Sequence, residues 1–545
     1  MLRRGRLVLL LAISLAAVVA LAAPGPASAR VTPRGSQWRV LVLNKISDST
    51  FAALARRGAV GLMRPGYGPT TNRQRALAEL VRGAETNARL GGVPPGKPLI
   101  GFDTASGART PNCRMCIVLE LPPRGAPIAN NRLYRIAIVG QDFHGLLTSP
   151  TTQIPGLISI VDVAPTVLPG HQATALSWAA TSNPIGQLAH LNQQIGSNNR
   201  LKFAVLFVLA GLLLLLALLG LRAAVTAVPA ALAVNLLLGI GQVSNEVLLV
   251  AGISAGTALL AFGLARVCRS DNALLALYGG IVFLYAVVMV ARPEWQAINP
   301  FGPTQNSRFW GIGNQLETLL LAPLLAGAVL ARRRFGILGF ALFGLFGLAV
   351  ITDNHFGADG GGAIVLGIAL AVLGTRLFRL RVAGFVGLLA ASALTVLWLV
   401  SRGLAQPGPD HLRSAFAGGA GGLLKSLESR VPLAYVPALH AWEMVVPLLA
   451  VLVAAYVVAW RRAKKDTRDV LLALGVAIVT SLLVNDSAAY ELVGGIAVVG
   501  AVARFAPTSA PVRVRVPVPA WVRVPAFRKT SAAPPETVAA ESPPG

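Results

Sequence analysis

Acidic side chains are scarce in this sequence. Its 545 residues hold 22 Asp and Glu against 48 Lys and Arg, a net charge of +26. Charged residues of both signs make up 13% of the chain, where a soluble domain averages about 25%, so the chain as a whole does not read as a soluble globular protein. Three cysteines provide no framework to read. Cys113 and Cys116 form a single CxxC, expected as a structural clip rather than a redox centre, and without a second CxxC no zinc site is expected. Cys268 reads as a small apolar filler. A Walker loop and HExxH are missing, and no cofactor is expected.

What the chain has instead is apolar length. Hydrophobic residues reach 54%, with a mean hydropathy of +0.64. Residues 1–29 read as a secretory leader, with Arg3, Arg4 and Arg6 ahead of an apolar core and Ala27-Ser-Ala29 as the small-residue cleavage pattern. Residues 30–200 then form an exported domain, 201–504 a bundle of about eleven membrane-spanning helices, and 505–545 a basic, Pro-rich cytoplasmic tail without order of its own. The loops between spans alternate. One set is short and basic (Arg222; Arg266 and Arg269; Arg332 to Arg334; Arg376, Arg379 and Arg381; residues 461–468), and such loops stay in the cytoplasm. The other set, at 299–314, 352–361, 402–443 and 485–491, mixes acids, His, Asn and Gly and therefore faces outward. Membrane orientation and anionic lipid account for much of the positive charge, so it is no sign of nucleic-acid binding.

In the exported segment, residues 39–43 read as a buried strand and 49–57 as a helix stopped by Gly58. A second helix is expected over 72–90, strands over 114–121, 133–140 and 157–161, and a short helix over 163–168. Strands alternating with helices imply an α/β layer with a parallel or mixed sheet. Residues 183–200 are polar and read as a juxtamembrane helix or linker, and residues 413–430 as an amphipathic helix on the outer surface.

Gly156-Leu-Ile-Ser-Ile-Val-Asp-Val-Ala-Pro-Thr-Val-Leu168, flanked by Leu147-Thr-Ser-Pro-Thr-Thr-Gln153, resembles the "DxAPTxL" segment of the alkaline phosphatase superfamily. The stretches at 39–43, 54–63, 69–71 and 83–89 are similar to the amino-terminal part of membrane-attached members in Gram-positive envelopes. That resemblance implies a truncated alkaline-phosphatase-like fold and a two-metal site beside a Ser or Thr nucleophile. Asn44 stands where the family pattern has a metal-binding Asp, and Thr70 or Thr71 stands at the nucleophile position. Asp142, His144 and His171 are the remaining ligand candidates, too few to clamp two metals. The implied domain is degenerate and non-catalytic, a reader of a phosphorylated or glycan-bearing ligand, a spacer or a partner platform. A one-metal hydrolase using Thr71 is its rival.

The membrane part offers a second set of candidates. Arg308 has the planar fork that suits phosphate, and Trp310 belongs at an interface. Gly311 and Gly313 let backbone approach a ligand, Asn314 opens the next helix, and Glu317 lies one turn inside it. Asp353, His355 and Asp359 come from the facing outer loop, and Asp486 and Glu491 from a third. Together they would make a general base beside an anion clamp. Arg308 to Asn314, as Arg-x-x-Gly-x-x-Asn, is similar to a pattern in lipid-linked glycan polymerases and ligases of the O-antigen type. By that likeness Arg308 would hold a pyrophosphate while an acid or His355 activates an acceptor. The expectation is a multi-pass protein of a bacterial plasma membrane that binds or processes an anionic, lipid-linked envelope precursor, with membrane lipid and envelope-assembly proteins as partners. A flippase or transporter, and a structural or sensing protein, are the alternatives.

Overall fold

The structure is a computed structural model that describes residues 38–84, 100–105, 115–140, 142–168, 175–303, 309–353, 355–404, 428, 435–436, 439–485 and 487–508. The leader at 1–29, nearly all of the expected surface helix at 413–430 and all but the first residues of the tail lie outside them. So do Cys113, His171, Arg308 and Asp486.

An α/β unit comes first. Strands β1 (Arg39–Leu43), β2 (Gly58–Arg64), β4 (Asp103–Ala105), β5 (Cys116–Glu120), β7 (Tyr134–Val139), β8 (Gly145–Thr148), β9 (Leu157–Ser159) and β10 (Ser177–Ala179) form one mixed sheet. Its order is β10-β8-β2-β7-β5-β1-β4, with β9 also on β2. β3 (Thr70–Thr71) pairs separately with β6 (Ile128–Ala129). Alternate residues of β1 feed two cores: Val40 and Val42 join Ile117 and Ile138 on one face, Leu41 and Leu43 join Val118 and Ala137 on the other. A strand covered on both faces has no polar side, which is why it reads as a continuous apolar run. Helix α1 (Asp48–Ala55) packs on the second face and α2 (Arg73–Arg82) on the first.

Several boundaries differ from the sequence reading. β2, the most connected strand, was not foreseen, because Gly58 reads as a helix stop and 58–64 lacks alternation. It is buried along its whole length, and a Cβ on Gly58 would lie 2.0 Å from the Ile138 carbonyl, so only glycine allows that pairing. β3, β4, β6, β8 and β10 likewise fall outside the strands expected from the sequence. The second helix ends at Arg82, where Gly83 takes a left-handed cap at φ 60°. The strand expected to Val161 stops at Ser159 and turns into a short 3-10 stretch, Ile160–Asp162, then α3 (Val163–Val167). Cys116 is disulfide-bonded and Cys268 is a buried free thiol.

The DxAPT stretch does structural work here. Asp162 is fully buried, accepts from Thr151 Oγ1 at 2.6 Å and from Ser149 Oγ, and its carbonyl accepts from Thr166 Oγ1 at 2.7 Å. These bonds tie residues 149–152 to the start of α3. Burial pushes the Asp162 carboxyl up to about 6 from its ordinary 3.8, against the pull of the Ser149 and Thr151 donors and of Arg64.

Past this unit the chain is mostly helical: α4 (Pro184–Leu218), α5 (Ala223–Ile240), α6 (Glu246–Val267, with a π-helical segment at Gly252–Gly256), α7 (Asp271–Ala291), α8 (Pro293–Ala297), α9 (Asn314–Thr352), α10 (Gly360–Phe378), α11 (Val382–Leu404), α12 (Trp442–Arg462), α13 (Lys465–Val484) and α14 (Ala488–Val502). Among the described residues, nine helices are long and apolar enough to cross a membrane. One of them, α9, breaks at Gly336 (φ 70°), directly after Arg332 to Arg334. α14 is apolar but has only 15 residues. The polar stretch at 183–200 is not a linker but the first half of α4, capped by Asn183 and continuous with the first apolar helix. Leu188 of α4 packs into the second core of the sheet, so the helix joins the two parts of the protein.

Two helices are buried almost all round: the first half of α9, from Gln315 to Ala331, and α14. They form the centre of the bundle. At one end of it Arg333 pairs with Asp466 and Arg376 Nε with Asp469 at 3.1 Å, while Arg222 and Arg332 donate to helix-end carbonyls. The turns rich in Asn, Gly and acids gather at the other end, beside the α/β unit.

Because the folded Asp162 carboxyl binds its proton more tightly than the unfolded one, its contribution to stability is fully present below about pH 4 and is lost as pH rises towards 6, about 3 kcal/mol in all. Thermal midpoints of the detergent-solubilised protein between pH 4 and 7.5 should show this decline, and Asp162→Asn should flatten it. An equal slope in both proteins would refute the assignment.

Candidate functional site

The polar end of the bundle is built around three carboxyl groups. Glu317, one turn into α9, and Glu491, in the first turn of α14, are fully buried. Asn485, which caps α13, reaches both: its Nδ2 donates to Glu317 Oε2 at 2.8 Å, Glu491 Oε1 at 3.3 Å and Ser481 Oγ at 2.8 Å. Thr318 Oγ1 donates to Glu491 Oε2 at 2.6 Å. Glu317 Oε1 has no hydrogen-bond partner among the described residues.

Asp359 caps α10, accepting from Gly362 N at 3.1 Å. A Cβ on Gly362 would stand 3.0 Å from Glu317 Cγ and 2.9 Å from Asp359 Oδ2, and one on Gly361 2.3 Å from Asn485 Oδ1. The glycines therefore bring the positive end of α10 against the acids, where its dipole favours negative charge. Among the described residues, no group of three or more His, Cys, Asp or Glu side chains is arranged to hold a metal ion.

Above it two loops interlock. Ile312 N donates to Gly357 O at 2.9 Å, and Asp359 N to Ile351 O at 2.9 Å. Gly311 holds φ 80° with Gly357 O only 2.4 Å from where a Cβ would be, so this crossing excludes any side chain there. Phe309 also sits in the left-handed region, at φ 61°, and is buried, while Trp310 is half-buried. Gly313 is the cap of α9 and Asn314 its first residue. In the second loop Asp353 Oδ1 accepts from His355 N at 2.9 Å and contacts His355 Nδ1 at 2.8 Å. The Asp353 side chain is 11% exposed and the imidazole 55%. A sheltered carboxylate thus orients an accessible imidazole, the arrangement a general base requires.

A polar scaffold holds the first loop in place. Lys202 of α4 is buried and donates to Pro303 O at 2.7 Å and to Gly302 O. Gln194 Nε2 donates to Ile298 O at 3.3 Å, Asn299 Nδ2 to Trp295 O at 2.7 Å, and Phe301 N to Asn235 Oδ1 at 3.3 Å. Irregular backbone buried among helices needs such partners. From the α/β unit, Ile154 and Leu157 pack with Ile195, Ile298 and Phe309.

The structure thus brings Trp310, Gly311, Gly313, Asn314, Glu317, Asp353, His355 and Asp359 to one end of the bundle. Arg308 and Asp486 lie outside the described residues. Glu491, expected from the third outer loop, joins them, and Asn485, Ser481 and Lys202 complete the site without having been among the sequence candidates. A Lys at the edge of an apolar helix was the available signal.

The hydrolase candidates do not converge. Asn44 follows β1 and is exposed, and Thr70 and Thr71 follow β2, all towards one edge of the sheet. Asp142 and His144 follow β7, which runs antiparallel to β2, and so lie at the opposite edge. His144 is exposed and stacks on Trp178 with centroids 3.6 Å apart. Thr71 is buried and Thr70 accepts from Arg75 Nη1 at 3.3 Å.

No family model, curated protein or solved structure matches this chain.

Replacing Asn485 by Ala would leave two buried carboxyl groups short of a donor, a loss of about 1–3 kcal/mol. Thermal denaturation of the full chain in detergent checks this. An Asn485→Ala midpoint equal to wild type would show that Asn485 does not bridge the acids.

Proposed function

We propose that the chain is a multi-pass protein of a bacterial plasma membrane, crossing it about eleven times, with the α/β unit outside and the basic tail in the cytoplasm. The two halves of α9 and the short α14 supply the crossings beyond nine. Its outward end binds and processes an anionic, lipid-linked envelope intermediate. The Asp353–His355 pair carries this reading: a carboxylate holding one ring nitrogen leaves the imidazole oriented to take a proton from an acceptor hydroxyl. Arg308, next to Phe309 and Trp310 in sequence, would hold the phosphate of the donor. The lipid carrier would lie along the bundle while the polar head meets Trp310 and the Gly311 crossing.

The α/β unit, on this proposal, is an alkaline-phosphatase-like domain that no longer hydrolyses esters and serves as a platform over the site. The spread of Asn44, Thr70, Thr71, Asp142 and His144 over two sheet edges favours it. The contact of Ile154 and Leu157 with Phe309 gives such a platform a mechanical connection to the site loop.

A flippase or transporter is the second reading, and the sealed Glu317–Asn485–Glu491 group favours it. Acids closed off from a ligand suit a coupling role better than contact with substrate.

The purified protein separates the two with a polyprenyl pyrophosphate as probe. Under the transferase reading Arg308→Ala weakens binding by about tenfold or more, as expected for loss of a charge-assisted contact. His355→Ala keeps the probe bound and lowers transfer of label from lipid-linked precursors in membrane vesicles by about a hundredfold or more. Full transfer by His355→Ala, together with loss of lipid translocation in Glu317→Gln, would sink the transferase reading and favour transport.

A further inference from the structure

At the arginine-bearing end of the bundle, α4 and α12 both pack on α14 but leave a gap between each other. Between them lies a cavity of about 250 Å³, walled by residues such as Leu214, Val451, Ala455 and Val499 and bordered by Arg462 and Arg504. It opens sideways, where Leu218 is 53% and Val451 42% exposed, so its apolar walls face the lipid side of the bundle.

The two arginines differ from Arg333 and Arg376 of the same end. Arg333 and Arg376 are neutralised by Asp466 and Asp469. Neither Arg462 nor Arg504 makes an ion pair among the described residues. Arg504 is held in place because its Nε donates to Ala217 O at 2.8 Å, which leaves its terminal nitrogens for another acceptor. Arg462 ends α12 and is exposed. An apolar slot with two uncompensated guanidinium groups at its rim matches a molecule with a hydrocarbon tail and an anionic head.

We propose that this groove is a binding site for an anionic phospholipid of the leaflet at that end, with one acyl chain in the slot and the headgroup phosphate between Arg462 and Arg504. The chain's own tail is the competing occupant. Its basic residues Arg513, Arg515, Arg523, Arg528 and Lys529 would be repelled by the same arginines. The site lies at the opposite end of the bundle from His355, and it stands or falls independently of the proposed transfer chemistry.

The test uses the full-length protein in nanodiscs of phosphatidylcholine doped with phosphatidylglycerol, followed by native mass spectrometry of the released protein. Wild type should retain phosphatidylglycerol over phosphatidylcholine. Arg462→Gln with Arg504→Gln should lower that retention about tenfold or more, since each charge near a bilayer surface contributes roughly 1 kcal/mol. Ala455→Trp, which fills the slot without changing charge, should lower it comparably. Arg381→Gln with Arg461→Gln, which removes the same charge from the same end, should leave it near wild type. Single Arg462→Gln keeps the Arg504 bond to Ala217 and should show part of the loss even if the double variant misfolds. Equal loss in the control pair would mean general surface attraction, and unchanged retention in Ala455→Trp would mean no slot. Gain of phosphatidylglycerol on deleting residues 509–545 would make the tail the occupant. Each of these outcomes overturns the proposal.

Discussion

Two carboxyl groups buried between the two most enclosed helices set the terms for one whole end of this protein. Glu317 and Glu491 lie in α9 and α14, and taking an unpaired charge out of water costs several kcal/mol. The surroundings are arranged to offset that. Asn485 spans both acids, Thr318 donates to Glu491, and the glycine-rich start of α10 brings its positive end against Glu317. The order of packing at this end follows from these needs: α13 must end at the acids to place Asn485, and α10 must begin there to place Gly361 and Gly362.

The same need for satisfied polar groups ties the site to the rest of the chain. The described part of the loop between α8 and α9 is buried; its carbonyls find Lys202 and Gln194, while its own Asn299 donates back to Trp295 O of α8. Two of these come from α4, whose leading half also packs on the α/β sheet through Leu188. A single helix therefore braces the site loop and joins both parts of the protein. Ile154 and Leu157 reach Phe309 from the segment that Asp162 anchors, so the sheet, the motif and the loop crossing at Gly311 form one packed path.

Charge is treated differently at the two ends. At the acid end, Glu317, Glu491 and Asp359 are held by donors or lie against a helix terminus. At the arginine end, among the described residues, Asp466 and Asp469 neutralise part of the charge, and Arg222 and Arg504 donate to carbonyls. An excess of fixed positive charge beside apolar walls is stable where an anionic lipid surface supplies the counter-charge.

The apolar helices and strands β1, β5, β7 and β9 were legible in the sequence because periodicity and composition are local properties, and so were Trp310, Glu317, Asp353, His355 and Asp359, which stand out as polar residues at the ends of apolar runs. β2 was not, because Gly58 to Arg64 lacks alternation and its pairing depends on backbone contact with β7 rather than on its own pattern. Nor was the role of Asn485, which beside Asp486 looks like an ordinary cap and becomes a bridge only when α9, α13 and α14 meet. The hydrolase residues show the opposite case: Asn44, Thr71 and His144 could be grouped along the sequence, yet strand direction sends them to opposite edges of the sheet. Residue type and spacing determined which elements form and which end of the bundle each polar loop occupies. Tertiary structure alone decided which side chains meet, because contacts between residues 168 positions apart, as in Asn485 and Glu317, depend on how helices pack and leave no trace in local sequence.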